Sequence, residues 1–157
     1  MNAEKHCVFD SGTQWYAVPA LSVRYVTTTP QLFHVPETDS SVAGLCHLRS
    51  EFLAAVHLDR LAGVESTDDA PPQLISIAGV HGAWGLLVSD VRDLCSLDST
   101  TADTERRGFG SCVVGAATHE GRFVRLLDPN RLYKLVEERL RSAWSSLASA
   151  KNTLSPC

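Results

Sequence analysis

"GLCHLRSEFLAAVHLDRLAG", residues 44–63, is the stretch on which the fold turns. Cys46, His47, His57 and Asp59 are all metal-ligand types, and Arg49 stands among them in an apolar setting. Three readings compete: a metal or catalytic site, a helix with a polar face, or two strands presenting an arginine. In strand register Leu45, His47 and Arg49 share one face while Cys46 and Leu48 share the other. Helical register through Leu45, Leu48, Phe52 and Ala55 is satisfied as well, so periodicity alone leaves strand and helix open. The metal reading fails on spacing. Structural zinc takes Cys or His pairs about two to five residues apart, so that one turn presents two ligands together, and this window has none. On a strand, Cys46 and His47 would also point to opposite faces.

Around this window lie 157 residues, 44% of them hydrophobic and 20% charged, with a formal net charge of -4. Length favours a single domain built from two small halves. The acidic balance argues against a nucleic-acid partner, since phosphate binding needs a basic surface. The pair Arg106-Arg107 reads as part of a solvated loop. No apolar run approaches the ~20 residues of a membrane helix, so no direct membrane insertion is expected. "MNAEKHCVFD" carries no apolar stretch of the signal-peptide kind. Five cysteines, an odd number at scattered positions, suit reduced thiols and a cytoplasmic location.

Short apolar runs bounded by turn residues fill the first 127 positions. "CVFDSGTQWYAVPA" reads as a hairpin turning at Asp10-Ser11-Gly12, and "SVRYVTTT" as a strand with Val23, Tyr25 and Thr27 on one face. "PQLFHVPETDSS" and "VESTDDAPPQ" read as loops. Leu74 to Ala78 and Trp84 to Val88 read as strands around Gly79-Val80-His81-Gly82. "DSTTADTERRGFG" is a further loop, and "SCVVGAATHEGRFVRLLD" a further hairpin with His119-Glu120-Gly121 at its tip. Many short strands at this spacing indicate a barrel or sandwich. The tail differs in kind. Leu132, Leu135, Val136, Leu140, Ala143, Trp144 and Leu147 fall at helical spacing, with Asp128 as N-cap and Pro129 at the first helical position. That stripe either docks on the chain's own core or offers Trp144 to a partner.

Catalytic constellations are poorly supported. "GFGSCVVG" lacks the G-x-S-x-G spacing, and Cys112 opens an apolar run as a small buried residue would. "GVHGAWG" and "GFGSCVVG" match neither phosphate-loop pattern and precede no helix. His81 and His119 read as solvated turn residues. Asp68-Asp69 and Glu137-Glu138 read as solvated charge. No cofactor and no metal is expected, and a thiol enzyme using Cys46 or Cys112 remains as the competing class.

Four blocks in order resemble the bacterial chemotaxis coupling protein family, the CheW-like domain, over roughly residues 6–133. "FDSGTQWYAVPALSVRYV" resembles the family's opening strands. "SSVAGLCHLRSEFLAAVHLDRLAG" resembles its "V-x-G-x-x-N-L-R-G" hairpin followed by "P-V-I-D-L", with Gly44, Leu48, Arg49, Val56 and Leu58 in place. "GAWGLLVSDVRDL" and "CVVGAATHEGRFVRLLDPNRLY" resemble the third and closing blocks. His47, Ser50, Ala54 and His57 stand where the family has asparagine, glycine, proline and aspartate, and Ser89 where it has aspartate. The chain thus resembles a divergent member.

The resemblance implies a mainly β fold of two small packed SH3-like β-barrel subdomains over residues 6–135, followed by the rest of a C-terminal amphipathic helix and tail over 136–157. It implies a non-enzymatic adaptor in two-component signalling. Such domains bridge a receptor's cytoplasmic helices to the regulatory domain of a histidine kinase, through exposed barrel faces and the groove between halves. The same scaffold in a non-flagellar pathway, surface motility or second-messenger control, is the alternative. Partner-binding residues expected on the hairpin are Arg49, His47, Leu48, Val42 and Leu58, with Trp144 added from the helix stripe. Gly44 reads as a backbone requirement rather than a contact.

Overall fold

The computed structural model of the chain describes residues 4–35, 39–64, 71–101 and 108–154, with residue 101 and those from 143 onward described by backbone alone. Arg106-Arg107, Asp68-Asp69 and the side chain of Trp144 therefore lie outside the described residues. Two antiparallel-rich sheets share the chain unequally. The first takes β1 (Lys5–Ser11), β2 (Gln14–Pro19), β8 (Asp90–Ser96), β9 (Thr100–Thr101), β10 (Val113–His119) and β11 (Arg122–Leu127). The second takes β3 (Val23–Thr28), β4 (Val42–Leu48), β5 (Glu51–His57), β6 (Gln73–Gly79) and β7 (Gly82–Val88). Their strand orders are β8-β1-β2-β11-β10-β9 and β3-β6-β7-β5-β4. The second half is thus inserted between β2 and β8 of the first. One parallel pairing holds each sheet's two hairpin units together, β2 with β11 and β5 with β7.

Alternation along the strands divides the apolar residues between three clusters. Cys7 and Phe9 of β1 face the main core with Tyr16 and Val18, while Val8 and Ala17 face a smaller cluster with Leu97, Val124 and Leu126. In the second sheet Ile75, Ile77, Trp84 and Leu86 face the main core, while Leu74 and Leu87 pack with Cys46, Leu53 and Ala55. Both sheets contribute to the main core, so the halves are joined by apolar burial rather than by a linker. The C-terminal helix α2 (Pro129–Leu154) completes that core through Leu132, Leu135 and Val136, with Leu140 packed against it. The backbone N–H of Asn130 donates to Asp128 Oδ1 at 3.0 Å, which caps the helix as its sequence indicates.

Neither sheet closes into a continuous hydrogen-bonded barrel among the described residues; each is a curled, SH3-like sheet. The second comes closest to closure. Phe33, beyond β3, forms an isolated bridge with Leu45 of β4: its N–H donates to the Leu45 carbonyl at 2.7 Å, and its carbonyl accepts from the Leu45 N–H at 2.9 Å. Gly44 makes this approach possible. Its φ is 147°, and a Cβ there would sit 2.5 Å from the Phe33 carbonyl oxygen.

Two elements depart from the sequence reading. β8 escaped the sequence reading because "DVRDLCS" is an edge strand, mostly exposed or half-buried, so it shows no apolar alternation. The window 44–63 ends in α1 (Leu58–Leu61), a single helical turn too short to carry a period. Beyond residue 135 the helix stays packed on the sheets: Val136 lies in the main core and Arg139 donates to the Leu61 carbonyl at 3.0 Å.

Candidate interaction surface

The β4–β5 hairpin answers the question of residues 44–63. Val42↔Val56 to Leu48↔Glu51 are paired, and Arg49-Ser50 form a two-residue turn with φ of 48° and 65°. Both positive values mark the turn type whose twist matches the flanking strands. Arg49 therefore sits in the turn itself and not in the strand register with Leu45 and His47. Its guanidinium lies 3.8 Å from the centroid of the Tyr25 ring on β3. Beside it, Arg24 and Glu51 form an ion pair at 2.6 Å, and that hydrogen bond holds the Glu51 carboxyl below its usual value. β3 and β4 are the two edges of the second sheet, so these contacts join opposite ends of the curled sheet.

Exposed apolar side chains surround this seam. Phe52 is 74% exposed and Phe33 54%, with Leu45 between them on the edge strand. The His47 ring packs on Phe52 with centroids 4.8 Å apart. This patch of Phe33, Leu45, His47 and Phe52, ending at Arg49, is what the hairpin presents to solvent. A second feature is the groove between the halves, about 370 Å³, lined by Cys7, Ala20, Val23, Val26 and residues 91–94 of β8. Arg92 at its rim donates to the buried Asp10 carboxylate at 2.6 Å.

Of the expected partner residues, Arg49 and His47 are exposed and Leu48 is half-buried. Val42 and Leu58 are not surface residues: they are 9% and 0% exposed and belong to the main core, where the hairpin's inward face and α1 pack. Phe33, Leu45 and Phe52 were missed, although strict alternation along β5 would have pointed to Phe52. The metal-ligand types of the window disperse. Cys46 is buried, His47 is exposed, His57 is buried, and Asp59 accepts a hydrogen bond from Ser11 Oγ. Burial pushes the Cys46 and Cys112 thiols up, the opposite direction from an activated nucleophile. His119 is not a solvated turn residue: its side chain is 17% exposed and lies 3.1 Å from Asp93 Oδ2.

Two interleaved, curled β-sheets with a closing C-terminal helix define a class of β scaffold domain. The sequence matches the CheW-like domain family over residues 5–137, and the chain belongs to that family. Among solved structures, the scaffolding protein TtCheW from Thermoanaerobacter tengcongensis is similar, with a TM-score of 0.73 at 18% identity over 83% of this chain and 92% of that one. No curated protein sequence matches. The fold is that of a chemotaxis-type scaffold, and no helix among the described residues is long and apolar enough to cross a membrane.

Proposed function

We propose that the chain is a non-enzymatic coupling protein that links receptor cytoplasmic helices to the regulatory domain of a chemosensory histidine kinase on the cytoplasmic side of the membrane. The observation that carries this reading is the apolar patch of Phe33, Leu45 and Phe52 around Arg49 on the edge of the second sheet. Aromatic residues and arginine are the side chains enriched in protein interfaces, and an edge strand offers backbone groups for pairing as well. The groove between the halves supplies a second, mostly apolar surface. Family membership supports a coupling role of this kind.

The test is a titration of the full chain with kinase regulatory domains and receptor tips from the same genome. Saturable binding to either class supports the reading, and no binding to any of them overturns it. Departures from the family pattern at His47 and Ser50 fall on this very hairpin, which favours a partner set of the chain's own, as in a non-flagellar pathway. The neighbouring genes decide between the two pathways. The thiol-enzyme alternative requires a reactive Cys46 or Cys112, and slow alkylation of both in the folded chain would remove it.

A further inference from the structure

The first sheet has a seam of its own, and its chemistry differs. β8 is the edge strand at one end, and β10 lies toward the other. Where they meet, His119 Nδ1 is 3.7 Å from Cys95 Sγ, and His119 Nε2 is 3.1 Å from Asp93 Oδ2. Glu120 Oε1, next along the turn, is 3.9 Å from Nε2. We propose that Asp93, Cys95 and His119 form a binding site for one divalent transition-metal ion of the zinc class, which clips the two ends of this sheet together.

The geometry fits such an ion. Bonds of about 2.3 Å to sulfur and 2.0 Å to nitrogen at a tetrahedral angle set those two atoms about 3.5 Å apart. The observed 3.7 Å is close to that edge. A carboxylate oxygen of Asp93, the Cys95 sulfur and a ring nitrogen of His119 all lie within 4.8 Å of one another. Glu120, 72% exposed, or water completes the set.

The donor set of sulfur, imidazole and carboxylate selects zinc-class ions over calcium or magnesium, which take oxygen ligands. The three groups also follow the order of a thiol nucleophile, its base and an orienting carboxylate. Against that use, Cys95 is pushed up by burial and by the charges of Asp93 and Glu120. Asp93 and Glu120 set two carboxylates beside the His119 ring, and such a negative field attracts a cation. Binding replaces the thiol proton by the metal, releasing one proton to solvent for each ion bound.

The test uses the full chain stripped with chelator and titrated with cobalt(II), then with zinc. One cobalt per chain with a thiolate charge-transfer band, displaced by zinc, is expected. Cys95→Ser should abolish the band, and Asp93→Asn should weaken binding by about 10–100-fold. No binding, a spectrum without thiolate character, or a band that survives Cys95→Ser would overturn the site. Should Cys95→Ser fail to fold, the natural chain still decides. Zinc should protect Cys95 from alkylation while leaving the labelling of the other cysteines unchanged, and equal labelling of Cys95 with and without zinc contradicts the proposal.

Discussion

The Arg49 guanidinium lies 3.8 Å from the centroid of the Tyr25 ring, although β3 and the β4–β5 turn stand at opposite ends of their sheet. The pair is a clasp on a curled sheet, reinforced by Arg24–Glu51 at 2.6 Å. An exposed cation–π contact contributes about 0.5–1 kcal/mol. Removing Arg49 therefore leaves the fold standing, and the residue is free to be read through binding.

Ser50 occupies the turn with a φ of 65°, at a position where the family has glycine. Left-handed backbone costs a non-glycine residue about 1–2 kcal/mol. Ser50→Gly is expected to stabilise the protein by about 1 kcal/mol, seen as a higher urea midpoint with an unchanged slope. A lower midpoint would show that the serine side chain makes a compensating contact.

Gly44 should tolerate no side chain. A Cβ there meets the Phe33 carbonyl oxygen at 2.5 Å, and the φ of 147° is strained for any L-residue. Gly44→Ala is expected to cost about 3 kcal/mol and to break the Phe33–Leu45 bridge. Hydrogen exchange at the Phe33 and Leu45 amides reads the second effect directly.

His57 gives the stability a defined pH dependence. Burial holds its ring below the ordinary value of 6.5, with Arg60 adding to the depression and Asp59 opposing it. The unfolded chain therefore takes up the proton first. Its contribution is fully present above pH 6.5 and is lost as pH falls through that value toward the lower folded one. Melting curves for the natural chain and His57→Gln should converge in slope above pH 6.5 and diverge below it, with the variant the flatter. Parallel curves would remove the assignment.

The helix divides by function at its middle. Leu132 is fully buried in the main core, so Leu132→Ala is expected to cost about 2–5 kcal/mol. Deletion from residue 136 removes Val136, Leu140 and the Arg139 bond to Leu61, and should destabilise strongly. Circular dichroism melts measure both losses.

The hairpins were legible because β-branched and aromatic runs alternate between turn residues, as in "QWYAVP" and "QLISIAG". The helix was legible from its cap and its stripe. Residues 44–63 needed the family pattern, since Leu45, Leu48, Phe52 and Ala55 suit a helix as well as a strand. What escaped was long-range. Nothing local tells that Arg49 meets Tyr25, that His119 reaches back to Asp93, or that Phe33 closes on Leu45. Val42 and Leu58 were taken for surface because a motif conveys position in a pattern and not which face is covered.

The central claim, that the Arg49 seam is a partner surface, is tested most directly by titrating one purified kinase regulatory domain or receptor tip from the same genome against the natural chain, Arg49→Ala and Phe52→Asp. Saturable binding by the natural chain is expected, with each variant weakened by about 10-fold or more, as for interface residues worth over 1.4 kcal/mol, and with the fold intact by circular dichroism. Binding by both variants at natural strength, or none by the natural chain to any such partner, would contradict it.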